Sequence, residues 1–110
     1  MRIDVAQISF IHPKLREVLL WLEEATGQEY LITSLHRIGD EGVHGTIPLR
    51  AADLRMRNVH IGYEIATVIN ETWQYDPARQ EIGCAWCHGV ASNFHLHVQV
   101  HDHTRMNPNA

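Results

Sequence analysis

The sequence predicts an α+β domain with an antiparallel sheet of about four strands and two main helices. Residues 93–100 alternate strictly between polar and apolar side chains, which is typical of a strand with one buried face. Two stretches, 13–27 and 61–72, space their apolar residues as helices do. With 110 residues, 45% of them apolar, the chain has the size and composition of a single domain, residues 1–110, with its core at about 12–101.

The first half of the chain predicts a helix, a strand and a long loop. Proline suits the first position of a helix, so the helix begins at His12-Pro13, and Gly27 ends it. Residues 30–34 are a short β-branched and aromatic run, which indicates a strand. Residues 35–49 lose all periodicity, and a loop of this length in a small domain is usually functional or disordered. Its histidines and arginine favour a functional loop.

The second half predicts a strand, a helix and two further strands. Residues 50–57 alternate again, which places Asp53 on a polar strand face. The helix at 61–72 is followed by a strand at 83–88 and then by the alternating strand described above. Residues 106–110 are expected to be a frayed tail.

Four side chains of metal-ligand type lie on two predicted strands and in the long loop. His95 and His97 share one face of the last strand, about 7 Å apart, together with Gln99. Asp53 lies on the polar face of another strand, and His44 lies in the long loop. Two nitrogens and one carboxylate oxygen are the protein ligands of a catalytic zinc, which keeps its fourth position for water. The alternative is an exposed face that carries histidine, with Asp53 as a surface ion-pair partner that adds little stability.

Composition and charge argue against several classes of protein. The net charge is −4 and the basic residues are scattered, so no nucleic-acid partner is expected. No apolar run is long enough for membrane insertion. The N-terminus lacks the features of a secretory signal, so we expect synthesis in the cytoplasm without a signal peptide. The site of action is then open.

Two cysteines form a short motif, Cys84-Ala85-Trp86-Cys87-His88, that matches the attachment pattern of c-type haem. So short a motif arises by chance, and neither an export signal nor a methionine partner accompanies it. Side chains three residues apart on a strand point to opposite faces, which disfavours a disulfide. We therefore expect two reduced cysteines that carry no haem.

Four segments in order resemble a known family. They are Thr-Ser-Leu-His-Arg at 33–37, Gly-Val-His at 42–44, Ala-Ala-Asp at 51–53 and His-Leu-His at 95–97. Together they look like the zinc D-alanyl-D-alanine peptidases, which share a fold with the hedgehog signalling domain and include phage endolysins and murein endopeptidases. The compact spacing and the segment at 70–76 resemble a small phage-type branch, and the resemblance covers roughly residues 12–101.

The resemblance implies His44, Asp53 and His97 as zinc ligands, and it implies that Arg37 and Ser34 hold the substrate. The chain departs from the family in two places. His44 and Asp53 are nine positions apart, which is longer than the usual spacing. Phe94 occupies the place where many members have a catalytic glutamate.

His95 is then the expected catalytic base, as in members that use His-x-His. His36, His88 and Gln99 are expected to surround the ligands rather than to bind zinc.

The implied activity is zinc-dependent hydrolysis of an amide bond in bacterial cell-wall peptide, by a carboxypeptidase or by an endopeptidase of the endolysin type. The zinc would polarise the scissile carbonyl and acidify a water, and His95 would take up the proton. Two alternatives stay open. One is an inactive zinc-binding domain of the same fold that serves as a phage structural or recognition module. The other is a closed structural site in which His95 is a fourth ligand.

Overall fold

The structure, a computed structural model, describes residues 11–36, 49–56, 58–90 and 93–108, with Ser34 and His36 described by their backbone alone. It is an α+β fold with two helices and a four-stranded antiparallel sheet of order β1-β2-β5-β4. The predicted fold class and the predicted order of these elements are confirmed. Two further strands, β3 and β6, form a separate two-stranded pair that was not predicted.

The helices and strands, in chain order, have the following bounds: α1 Pro13–Thr26, β1 Ile32–His36, β2 Ala51–Arg55, α2 Val59–Thr72, β3 Trp73–Gln74, β4 Ala85–His88, β5 His95–Gln99 and β6 Arg105–Met106.

Helix α1 begins and ends where the sequence predicts. His12 caps it, because its Nδ1 accepts a hydrogen bond from the backbone N–H of Lys14 at 3.0 Å. Gly27 follows the last turn with φ of +67°, a left-handed conformation that glycine adopts without steric strain. The apolar stripe of the helix, Leu15, Val18, Leu19 and Leu22, is buried in the core.

Strands β2 and β5 are the two central strands of the sheet and define its two faces. Ala52 pairs with Val98 and Leu54 with Leu96, and all four side chains are fully buried on the core face. Because side chains alternate along a strand, the intervening pair of Asp53 and His97 lies on the opposite face. The alternation predicted for residues 50–57 and 93–100 is thus confirmed at these positions.

Helix α2 packs across strands β4 and β5 and is joined to β4 by the side chain of Asn70. The Asn70 amide oxygen accepts backbone N–H groups from Cys84 and Ala85 at 2.8 and 3.0 Å. Its amide nitrogen donates to the carbonyl of Ala85 at 2.8 Å. Closer to the helix start, a methyl group on Gly62 would lie 2.8 Å from Cε2 of Phe94, so the helix lies close to that ring.

Residues 106 and 107 are paired with residues 73 and 72, contrary to the prediction of a frayed tail at residues 106–110. Residues 109 and 110 lie outside the described residues. Strand β6 pairs with β3, and the backbone N–H of Asn107 donates to the carbonyl of Thr72 at 2.6 Å. Thr104 is only 1% exposed. Trp73 and Tyr75 are buried beside this segment.

The predicted functional loop falls largely on residues 37–48, which lie outside the described residues. Within the described ranges, neither helix has the length and apolar character that crossing a lipid bilayer requires.

Replacing Asn70 with alanine is expected to lower the free energy of unfolding by about 1–3 kcal/mol. The reason is that two backbone N–H groups and one carbonyl at the start of β4 would lose their partner. Urea unfolding of N70A measures the change, and E71A, at the exposed neighbouring position, is the matched control. Equal stabilities of N70A and E71A would contradict the role of Asn70.

Candidate functional site

Asp53 and His97 meet on the face of the sheet that points away from the core. They are direct cross-strand neighbours in the β2–β5 register, and Oδ1 of Asp53 lies 3.0 Å from Nδ1 of His97. Each side chain is 14% exposed, so both are largely withdrawn from solvent. The structure therefore brings together two of the three predicted zinc ligands.

His95 approaches the other oxygen of the same carboxylate. Its Nε2 lies 3.8 Å from Oδ2 of Asp53. Its Nδ1 lies 2.8 Å from the backbone carbonyl of Asn93. A carbonyl oxygen only accepts, so Nδ1 must carry the hydrogen, and in the neutral ring the lone pair is on Nε2. The nitrogen that faces Asp53 is thus the one able to take up a proton or to bind a metal.

Two ring side chains of strand β4, Trp86 and His88, pack beside these histidines. Trp86 pairs with His97 and His88 pairs with His95 in the β4–β5 register. The ring centroids of Trp86 and His97 are 4.3 Å apart with an interplanar angle of 33°, and His88 stacks on His95 at 5.7 Å and 11°. His88 therefore lies beside His95 on the same face of the sheet. Trp86 was not predicted as part of the site, although it shares a strand face with His88.

The spacing of Asp53 and His97 can be compared with that of zinc ligands. Zinc–nitrogen and zinc–oxygen distances near 2.0 Å at a tetrahedral angle place two donor atoms about 3.3 Å apart. The observed 3.0 Å between Oδ1 and Nδ1 is close to that value. It is equally the length of a hydrogen bond between the two side chains, so this distance alone does not distinguish a metal-free pair from two zinc ligands.

The remaining predicted site residues are only partly described. His44 and Arg37 lie within residues 37–48, outside the described residues. Ser34 and His36 lie opposite Asp53 and Ala51 in the β1–β2 register, and the positions of their side chains are likewise outside the description.

Gln99 is buried at the far end of β5. Its amide nitrogen donates to the carbonyl of Gly83 at 3.0 Å, so it holds the segment that leads into β4.

A second group of ligand-type side chains was not predicted. Donor atoms of Asp76, His101 and His103 all lie within 4.8 Å of one another, and among the described residues this is the group of three that could hold a metal ion. None of these three residues was predicted to be a ligand. The available signal was a second His-x-His, at 101–103, which continues the spacing of His95 and His97.

The carboxyl group of Asp76 stays ionised in this environment. The backbone N–H of Ala78 donates to it at 3.0 Å, and the side chain of Arg79 donates at 3.1 Å. These hydrogen bonds, the first of them above all, hold the pKa of Asp76 below its usual range.

The two cysteines are free thiols that differ in environment. Cys84 is fully buried, and its Sγ lies 3.9 Å from the carbonyl of Trp73. Burial raises the pKa of the Cys84 thiol to about 12, and it raises the pKa of the partly buried Cys87 as well. Both thiols are therefore protonated at neutral pH and are weak nucleophiles.

The chain was compared with protein-family models, with curated proteins and with solved structures, and none of them matches it.

The neutral forms of two histidines are expected to differ in the position of the ring proton. His95 should carry it on Nδ1, because Nδ1 faces the carbonyl of Asn93. His12 should carry it on Nε2, because its Nδ1 accepts the backbone N–H of Lys14. Two-bond ¹H–¹⁵N correlation spectra of the metal-free protein, recorded above pH 8, distinguish the two tautomers. The Nε2–H form at His95 would contradict the geometry described here.

Cys84 is expected to resist alkylation in the native protein up to about pH 10. Its folded pKa of about 12 lies above the ordinary 9.0, so the thiolate forms only as pH rises through the folded value. By the same linkage, the contribution of the buried thiol to stability is complete below about pH 9 and is lost at higher pH.

Iodoacetamide labelling followed by mass spectrometry, with urea-unfolded protein as the control, measures the reactivity of each thiol. Equal labelling of Cys84 in native and unfolded protein at pH 8 would show that it is not buried.

Proposed function

We propose that the chain is a zinc-dependent peptidase that hydrolyses an amide bond in bacterial cell-wall peptide. The proposal includes a fold of the hedgehog and D-alanyl-D-alanine peptidase type, with peptidoglycan peptide as the substrate. The observation that carries it is the convergence of His97 and His95 on the two oxygens of Asp53. In this proposal Asp53 and His97 hold the zinc together with His44.

Zinc in such a site supplies a Lewis acid that polarises a carbonyl group and makes water a better nucleophile. The other tasks belong to side chains of this chain. His95 accepts a proton at Nε2, since its Nδ1–H is engaged by the carbonyl of Asn93. Arg37 and Ser34 are proposed to orient the peptide.

The surroundings of the site support a role that needs fixed side chains. Trp86 covers one side of the His97 ring at 4.3 Å and limits its rotation. His88 stacks on His95 and does the same for the base. Both contacts come from a single strand, β4, that is hydrogen-bonded along β5. A rigid sheet holds catalytic groups more accurately than a loop does.

A closed structural zinc site is the second candidate, and one distance favours it. Nε2 of His95 lies 3.8 Å from Oδ2 of Asp53, so a modest side-chain rotation would make it a ligand of the same ion. In that case no position is left for water, and the domain binds zinc without hydrolysing peptide. An inactive phage structural or recognition module would use the site in this way.

Replacement of His95 by alanine separates these functions. For a peptidase, H95A should retain zinc and lose about 10²- to 10⁴-fold in turnover, because a general base contributes about that much. D53A and H97A should instead lose zinc. Amine release from peptidoglycan and from short peptides ending in D-alanine, with and without a chelator, measures activity, and metal analysis measures zinc.

All of these variants are made in an H103A background, so that the group of Asp76, His101 and His103 does not add to the zinc count. H60A, which replaces an exposed histidine of α2, is the control. If H95A weakens zinc binding and the parent protein is inert on every substrate, the closed site replaces the peptidase. Full zinc occupancy in D53A and in H97A would refute the ligand assignment itself.

A further inference from the structure

The turn at residues 101–104 presents two imidazole rings to a buried carboxylate. Asp76 is 8% exposed, and its Oδ2 and Oδ1 lie 3.9 Å from Nδ1 of His101 and 3.9 Å from Nδ1 of His103. The two imidazole centroids are 4.9 Å apart. This group shares no residue with the pair of Asp53 and His97, and Asp76 follows β3 of the two-stranded sheet whereas Asp53 lies within β2 of the four-stranded sheet.

Hydrogen bonds on two sides hold the turn, and they restrict the positions of the His101 and His103 side chains. Thr104 donates its hydroxyl to the carbonyl of Tyr75 at 2.8 Å and accepts the backbone N–H of His101 at 2.8 Å. Asp102 points the other way and binds Nε2 of His12 at 2.9 Å and Nη1 of Arg50 at 2.6 Å. Much of the conformational entropy that a ligand would have to remove is therefore already lost.

Asp76 is fixed in the way that metal-binding carboxylates usually are. One of its oxygens accepts the backbone N–H of Ala78, and the other accepts Nε of Arg79. Each carboxylate oxygen offers a second lone pair, so these bonds orient the group without using up its acceptor capacity. Arg79 is 47% exposed and can turn toward solvent when a cation binds.

The donor atoms are too far apart for a tetrahedral ion, because all three lie within 4.8 Å of one another and Asp76 lies 3.9 Å from each imidazole. They must close by up to about 1.5 Å to reach the ligand spacing of about 3.3 Å. His103 is 71% exposed and can rotate by that amount. His101 must exchange one interaction, because its Nδ1 accepts the backbone N–H of His103 at 3.1 Å. A metal–imidazole bond is stronger than this single hydrogen bond within a turn.

We propose that Asp76, His101 and His103 bind a divalent transition-metal ion of the zinc class. Two imidazoles and one carboxylate select zinc, cobalt or nickel over magnesium and calcium, which prefer oxygen ligands alone. The ion links the turn at residues 101–104 to the segment that follows β3. It therefore stabilises the β3–β6 pair at the end nearest this turn. This site stands whether or not the chain is a peptidase.

The test uses the full chain, stripped of metal and titrated with Zn²⁺ and Co²⁺. Wild-type protein should bind one more equivalent than H103A, or bind it at least tenfold more tightly, and zinc should raise its melting temperature further. His103 is the residue to change, because its exposure lets the variant fold. D76N, which keeps the size of the side chain, should lose the same equivalent. H60A should behave as wild type.

The outcomes distinguish this site from the one at Asp53. D53N should lose a different equivalent and keep the one that H103A and D76N lose. If H103A and D76N match wild type in stoichiometry, affinity and zinc-induced stabilisation, the proposal is overturned. It is equally overturned if the variants alter only the pH dependence of stability, because the three residues would then form an ion-pair cluster without a metal.

Discussion

The antiparallel register of β2 and β5 is the constraint on which both the core and the candidate site depend. It places Ala52 and Leu54 against Val98 and Leu96 in the interior, and it places Asp53 opposite His97 on the other face. A slip by one residue would turn every side chain to the wrong face. Burial of the four apolar side chains, at about 25 cal/mol per Å², opposes such a slip. The geometry of the polar pair is therefore enforced by the apolar pairs on either side of it.

The outer strands are short, and side chains make hydrogen bonds to backbone groups next to them. Asn70 supplies three hydrogen bonds to the start of β4. The hydroxyl of Thr104 makes two hydrogen bonds at the turn before β6, one to the backbone of His101 and one to that of Tyr75, where only two residues pair with β3. Both side chains satisfy buried backbone groups that a longer strand would have paired with another strand. The positions of the histidines next to these segments depend on them.

Local patterns in the sequence predicted the elements but not all of the contacts between them. The helix bounds at Pro13 and Gly27 follow from capping chemistry, and the faces of β2 and β5 follow from alternation, so both could be predicted. Strands β3 and β6 have two residues each, which is too few for any periodicity.

Such local patterns could not predict contacts between segments that are distant in the sequence. Trp86 joins the site through the β4–β5 register, and Asp76 meets His101 only because Thr104 folds the turn back on Tyr75. The pairing of Asp53 with His97 was anticipated through the family resemblance, whereas the group at Asp76 has no counterpart in those motifs.

The bond between His12 and Asp102 joins residues 90 positions apart, close to the two ends of the described chain. Closing a loop of that length in a disordered chain costs about 4 kcal/mol of entropy. Asp102 is 60% exposed, and a single side-chain hydrogen bond contributes only about 1 kcal/mol net. The bond therefore cannot draw the two ends together by itself. It forms once the central strands have brought the ends within reach, and it marks the completed fold without driving its formation.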